Sequence, residues 1–530
     1  MRTIFVVGSI LVTLLLAGLS YFQPAFAWTF LLVGPVIARG YQDMLQTRQA
    51  VRRNFPLLGN FRYLFELIRP EINQYFVESN TDGSPFNRDI RSLVYQRSKL
   101  EPDTLPFGTR LDVNQVGYEW VNHSLAPTHV DPESLRITVG SPQCSKPYSA
   151  SIFNVSAMSY GSLSKNAVLA LNGGAKKGHF AHDTGEGGLS PYHLEPGGDL
   201  VWEIGTGYFS ARTLDGKFDP VRFKENATRE QVKMTELKLS QGAKPGHGGI
   251  LPARKVTPEI AQIRGVPVGK DVLSPPAHNA FSTPIGMLEF LAKMRELSGG
   301  KPVGFKLCIG KRREFLAICK AMKVTGILPD FITVDGGEGG TGAAPLEFSN
   351  SVGAPLRESL IFVHNSLVGF GVRKHIKVFC SGRIVTGFDV VSRLATGADG
   401  CNSARAMMMA LGCIQALRCN TNECPTGVAT QDPSLVVGLD VNHKTTRVAN
   451  YHRETLKSVA EMVGAMGVKH TSELRPWHLM KRTGLSEIHH YGELYEFIEE
   501  GSLLGSTVPT SFERPLVAAQ ADSWASTAGA

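Results

Sequence analysis

Charge is what the start of this chain lacks: from Thr3 to Ala38 there is not one Asp, Glu, Lys or Arg. The first apolar run, Ile4 to Phe22, is 19 residues long, and a helix that crosses a bilayer needs about 20. Gln23-Pro24 interrupts it, and a second run follows from Ala25 to Ala38. Arg2 precedes the pair and Arg39, Arg48, Arg52 and Arg53 follow it, which fits a membrane hairpin with both ends in the cytoplasm. The competing reading is a cleaved signal peptide with Ala25-Phe26-Ala27 as its cleavage site; the apolar run beginning at Trp28 speaks against it.

Other absences narrow the function. Eight cysteines in 530 residues, three of them clustered, do not form a disulfide framework and point to a reducing compartment. No G-x-G-x-x-G follows a first strand to open a helix, which counts against a dinucleotide-binding open sheet. No H-x-x-x-H pair is present, and His179, His182, His247 and His278 read as structural polar groups. A net charge of +8 is scattered rather than striped, so nucleic acid is a poor partner and a small anionic substrate a better one.

What the chain does have is alternation. From Ser151 to about Cys419, β-rich runs end in Gly, Ser or polar residues and are mostly followed by helix-period segments. The runs are SIFNVSAMS, HFAHDTGEGG, VKMTELKLSQGA, DVLSPP, PVGFKLCIG, FITVDGGEGG, KVFCSGRI and GADGCNSARA. Helices are expected over Lys165–Lys177, Ile285–Leu297, Glu314–Val324, Leu356–Phe370 and Asp389–Thr396. Eight such units predict an α/β fold, a closed (β/α)8 TIM barrel with its site at the carboxyl ends of the strands. The stretch from Ser190 to Val232 reads as an insertion containing a hairpin. The domain organisation expected is a transmembrane hairpin over 1–40, an adapter over 41–150, the barrel over 151–470, and C-terminal helices and a tail over 471–530.

Four groups of residues could carry chemistry. Gly336, Gly337, Gly339, Gly340 and Gly342 around Thr341, with Ser381-Gly382-Arg383, offer backbone N–H groups to a phosphate, although each glycine alone reads as a tight turn. Lys306, inside a short apolar strand, is either paired or faces the barrel mouth, where it can stabilise charge on a reduced cofactor. Lys244 and Arg264 suit a dicarboxylate, and Glu186 among glycines can act as an acid or orient an imine. Cys413, Cys419 and Cys424, spaced C-x5-C-x4-C, can converge on a metal cluster; zinc usually wants a fourth ligand, so three irons fit better. Three unrelated buried thiols remain the plain alternative.

Taken together, SAMSYGSLS, GEGG, QGAKPGHGG, LSPP, GGTGAAP, SGRIVTG and CPTGVATQ, in this order between about Ser151 and Gln431, resemble the FMN-binding synthase half of glutamate synthase. The resemblance implies FMN held by Ser156, Ala157, Met158 and Lys306, with Gly340, Thr341, Ser381 and Gly382 near its phosphate. It implies a 3Fe-4S cluster on Cys413, Cys419 and Cys424. Gln241, Lys244, Arg264 and Glu186 would hold 2-oxoglutarate, with Glu186, Lys244 and Lys306 the catalytic groups. Reduced FMN would give a hydride to 2-iminoglutarate, formed from ammonia and 2-oxoglutarate. Electrons would come from an external donor, ferredoxin or a reductase subunit, at the cell membrane with the catalytic domain in the cytoplasm.

The sequence departs from the family at His247 (Glu there), at Asp335 and Glu338 (Ser and Asp), at Ser381 (Asp) and at Arg383 (Gly). No counterpart of the amidotransferase half is recognisable, so ammonia is expected from solution or a partner. Rival readings are an oxidoreductase for another oxo or imino acid, an FMN barrel of the inosinate-dehydrogenase or isoprenoid-isomerase kind, and a membrane-bound redox relay without glutamate synthesis.

Overall fold

The computed structural model describes residues 1–526. The chain divides into two compact units, Met1–Arg88 and Asp89–Ala530, so the segment 41–150 is shared between them. In the first unit, helix α1 (Arg2–Phe22) stops at Gln23, whose extended backbone leads into Pro24. Helix α2 (Phe30–Leu45) then runs past the apolar stretch to take in Arg39 and Asp43. The two helices are tied by the Phe5 and Tyr41 rings, 5.4 Å apart, and by a 2.9 Å hydrogen bond between the Ser9 and Tyr41 hydroxyls. Only α1, at 21 residues, is both long and apolar enough to cross a membrane among the described residues.

The second unit is built on a closed parallel barrel. Its strands are β1 (Phe153–Val155), β2 (His182–Asp183), β3 (Leu200–Ile204), β4 (Val232–Lys238), β5 (Val303–Leu307), β6 (Phe331–Asp335), β7 (Lys377–Ser381) and β8 (Gly400–Ser403). They pair in chain order and β8 closes on β1. The five expected helices all form, for example Lys165–Gly178, capped by Ser164, whose hydroxyl accepts from the Ala167 N–H. The strands confirm the barrel, with one exchange of members.

DVLSPP is not a barrel strand. Val272–Leu273 pairs antiparallel with Ile250–Leu251 instead, and Leu273 is 68% exposed, whereas a parallel barrel strand is covered on both faces. Two prolines directly after it remove backbone donors. The missing strand is β3, LVWEI, inside the supposed insertion; all five of its residues are buried. The hairpin expected further along that segment is present in short form: Arg212 bridges Phe218 antiparallel, and the Thr213 N–H donates to Lys217 O at 2.9 Å across the turn.

Below the barrel, Arg136–Val139 pairs antiparallel with Tyr148–Ser151. Val139, Tyr148 and Ala150 form one apolar cluster with Val201, Met234, Phe331 and Phe379 at the amino ends of the strands. The C-terminal segment is held to the same unit: Leu479–Arg482 pairs with Glu119–Val121, and the Lys320 ammonium donates to Leu516 O at 2.7 Å and Ala519 O at 2.9 Å.

Asp330, fully buried just before β6, anchors three segments. Its carboxylate accepts from the Ser141 N–H at 2.6 Å, the Arg295 guanidinium at 3.0 Å and the Val303 N–H at 2.7 Å. Replacing it with Ala strands a buried guanidinium, so Asp330→Ala is expected to destabilise this unit by about 3–5 kcal/mol, read as a fall in the urea midpoint.

Candidate functional site at the carboxyl ends of the strands

Strand periodicity brings charged residues to the inside of the barrel and to its mouth. Glu236 and Lys238 are two apart on β4 and therefore share a face, with Lys238 nearer the carboxyl end. Lys306 on β5 is the register partner of Lys238. Lys306 is paired: its ammonium lies 2.9 Å from Glu203 on β3, and both groups are buried. Burial works against the charge on Lys306, but Glu203, Asp335, Asp183 and Glu236 more than offset it and hold its pKa well above the ordinary value.

At the mouth, four of the expected residues meet a fifth that the sequence reading passed over. The Lys238 ammonium lies 3.0 Å from Glu186 and donates to Gln241 Oε1 at 2.6 Å. Lys244 and Arg264 act on the same carboxylate. Burial alone would raise the pKa of Glu186; Lys238, Lys244 and Arg264 together hold it at about 2. Glu186 is therefore an anion at any working pH and cannot serve as the proton donor there. Lys244 is pushed the other way, down to about 8, by burial first, with Glu186 resisting. Arg264 is anchored to the Tyr160 carbonyl at 3.0 Å. Three cations against one carboxylate leave this pocket with two net positive charges. Lys238 sits, like Lys306, near the carboxyl end of a barrel strand, but in the polar run VKMTELK rather than an apolar one.

The glycine loop leaves β6 close to its neighbours. A Cβ on Gly242 would fall 1.7 Å from Gly336 O, so that position needs the bare backbone, while one on Gly340 would press on the Arg405 side chain at 2.8 Å. Gly382 has φ +140°, and Arg383 beside it φ +52°. Gly340 and Thr341 are exposed, while Ser156 and Met158 at the end of β1 are buried. The Ser381 hydroxyl donates to Asp335, whose other oxygen accepts from the Gly242 N–H at 2.7 Å. Two departures from the family are thus partners in a single hydrogen bond. Glu338 accepts from the Leu356 N–H at 2.9 Å, and its carbonyl accepts from Arg405 at 2.7 Å. A glycine-rich loop with the half-buried Arg405 guanidinium behind it fits a phosphate.

The cysteine loop follows β8. All cysteines are free thiols, and Cys413, Cys419 and Cys424 lie close enough for their charges to interact. Burial raises Cys413 to about 12, and the charges of Cys419 and Cys424 add to this. Cys419 is raised by burial and by Cys424. At Cys424 burial also works upward, but the Thr426 hydroxyl and the N–H groups of Ala429, Thr426 and Val428 bring it below the ordinary thiol value. Lys255, itself buried, donates to Ser162 O at 3.1 Å and Ala429 O at 2.9 Å and places a cation near Cys419 and Cys424. Gln431 bridges the loop to Gly161 O and Leu163 O at 3.1 and 2.8 Å. Converging soft donors with a cation and N–H groups around them fit an anionic iron–sulfur cluster.

Residues 126–469 match the family model described as the conserved region in glutamate synthase. The chain belongs to the glutamate synthase family. It is 35% identical over 519 residues to the glutamate synthase large subunit-like protein YerD of Bacillus subtilis, covering 90% of this chain and 95% of that one. It is also 35% identical over 323 residues to the archaeal glutamate synthase [NADPH] of Methanocaldococcus jannaschii, covering 61% of this chain and 60% of that one. Among solved structures, a mutant flavocytochrome b2 with pyruvate bound aligns with a TM-score of 0.40 at 14% identity, over 88% of this chain and 97% of that one. At that level it adds nothing to a barrel already read from strand pairing.

The Lys238–Glu186 pair yields a signed expectation. A depressed carboxyl pKa contributes stability that is fully present above the ordinary value of 4.5 and is lost as pH falls toward about 2. The stability deficit of Lys238→Met is expected to be complete at neutral pH and to shrink across that window, measured as urea midpoints against pH. A deficit that stays constant would assign Lys238 to some other partner.

Proposed function

We propose that this member of the glutamate synthase family is an FMN-dependent oxidoreductase that converts 2-oxoglutarate and ammonia, through 2-iminoglutarate, to glutamate. The observation that carries the substrate class is the mouth pocket, where Lys238, Lys244 and Arg264 surround Glu186 with two positive charges in excess. A dianionic dicarboxylate neutralises that excess, and the Arg264 guanidinium can hold one carboxylate in a bidentate fork.

FMN, when bound, supplies the hydride. Ser156, Ala157, Met158 and Lys306 would hold it, with Gly340, Thr341, Ser381 and Gly382 near its phosphate. The remaining chemistry belongs to the chain. Reduction of an imine needs a proton at nitrogen as well as a hydride at carbon. Lys244, with its pKa lowered to about 8, is protonated at neutral pH yet able to give its proton up. Glu186, fixed as an anion, orients the imine nitrogen, and Gln241, held by Lys238, lies beside it. Lys306, kept charged by its acidic neighbours, stabilises negative charge at the cofactor.

Cys413, Cys419 and Cys424 would hold a 3Fe-4S cluster that passes single electrons from an external donor. The apolar helix Arg2–Phe22 supports a membrane anchor, and Arg39, Arg48, Arg52 and Arg53 after it favour a cytoplasmic catalytic unit. Proteolysis of a C-terminal tag in intact cells would overturn that placement.

Anaerobically purified protein is expected to show flavin bands and bound iron and sulfide, and Cys419→Ser to lose iron while keeping flavin. With a chemical reductant, labelled ammonia and 2-oxoglutarate should give labelled glutamate; none would remove this reaction. Lys244→Met is expected to lower turnover by about 10²- to 10⁴-fold. Because the acid form of Lys244 is the working one, the wild-type rate should fall as pH rises through about 8.

A further inference from the structure

Four charged side chains meet inside the barrel from four adjacent strands: Asp183 on β2, Glu203 on β3, Glu236 on β4 and Lys306 on β5. None is more than 5% exposed. Carboxylate oxygens of the three acids lie within 4.8 Å of one another. Lys306 is committed to Glu203 at 2.9 Å, which leaves Asp183 and Glu236 without a cation of their own. Asp183 Oδ1 accepts from the Gly185 N–H at 2.9 Å, and Glu236 accepts the Thr333 hydroxyl on Oε1. Glu236 Oε2 is buried with no hydrogen-bond partner among the described residues, an arrangement a bare carboxylate oxygen tolerates poorly. The next charged groups toward the mouth are Asp335, engaged with Ser381 and Gly242, and Lys238, engaged with Glu186 and Gln241.

Three carboxylates against one ammonium would leave two uncompensated negative charges in a dry interior. Two carboxyl groups this close do not both ionise there. We propose that Asp183 and Glu236 share one proton at neutral pH, and that this shared proton is the titrating counterweight to Lys306. Burial, then the charges of Glu203 and Glu236, pushes Asp183 well above the ordinary carboxylate range. Burial also brings Glu236 to about 7, with Lys306 opposing and Glu203 reinforcing. When negative charge arrives above Lys306, the pair takes up a proton from solvent, and it returns that proton when the charge leaves. No covalent bond to carbon is involved. The flavin half of the proposal rests on the FMN reading above; the proton itself does not.

The test therefore has two arms. Infrared spectra of the apoprotein at neutral pH should show a buried protonated-carboxyl C=O band, shifted in heavy water. The band should be lost in Glu236→Gln and in Asp183→Asn, each checked by circular dichroism for the native fold. Absence of the band in folded wild type overturns the shared proton. So does its disappearance on adding Mg²⁺ or Mn²⁺, which would make the three acids a metal site. In FMN-loaded protein the flavin midpoint potential should fall more steeply with pH near 7 in wild type than in Glu236→Gln, and should lie higher in that variant. Equal slopes would overturn the coupling. Failure to bind FMN at all would sink the cofactor reading instead and leave the infrared result to decide the proton.

Discussion

The 2.9 Å pair between Lys306 and Glu203 is the constraint around which the interior of the barrel is arranged. Breaking a buried pair by removing one partner typically costs about 3–5 kcal/mol, because the other charge is left stranded. Such a pair is a weak source of stability compared with an apolar core, so a barrel that keeps it in the middle has it for another reason. Closure of eight strands explains how it is possible: β3 and β5 flank β4, and inward side chains from the two can meet across it. Once the ammonium is fixed to Glu203, every other charge inside must be placed in relation to it.

That relation has two layers. Glu236 and Lys238 lie two residues apart on one strand face, a rise of about 7 Å. At the level of Glu236 the interior carries more carboxylates than cations. At the level of Lys238 the balance reverses, with three cations around Glu186. Both the acid excess and the cation excess are tolerable because each has an outlet: protons for the first, an anionic substrate for the second. A site at the boundary lies in a field directed from the cationic mouth toward the acidic interior.

Much of this was legible in the sequence, and the parts that were not share a cause. Helices such as Lys165–Gly178 and Leu356–Gly369 announce themselves by period and by cap, and seven of the eight strands end in the glycines and polar residues that mark a barrel mouth. Strand β3 was hidden because a buried glutamate interrupts LVWEI, and DVLSPP took its place because it looks apolar when burial is not visible. Glu203, Glu236, Asp183 and Lys238 were passed over for the same reason. A charge in a short strand reads as solvent-facing unless its partner is known, and the partners of Glu203, Glu236 and Lys238 lie on other segments of the chain. Lys306 alone drew attention, and its partner could not be named. The Asp335–Ser381 bond is the clearest case: as two separate departures the residues suggest an altered site, and only the fold shows them joined by one hydrogen bond.

The cysteine loop gains its meaning from the same closure. Because β8 pairs with β1, the chain that leaves β8 comes back beside the segment that leaves β1, and Gln431 and Lys255 fasten the two together at Gly161, Ser162 and Leu163. Three thiols that the spacing alone allows to be unrelated are thereby set against the loop that follows Ser156 and Met158. A buried lysine whose pKa is pushed down to about 8 is costly to keep, and its two carbonyl acceptors do not offset that cost unless negative charge lies nearby. An anionic cluster on Cys419 and Cys424 would supply it. The position of Lys255 is thus an argument for a charged occupant of the loop that is independent of the cysteine spacing, and it places that occupant next to the strand-end segment on which the cofactor residues lie.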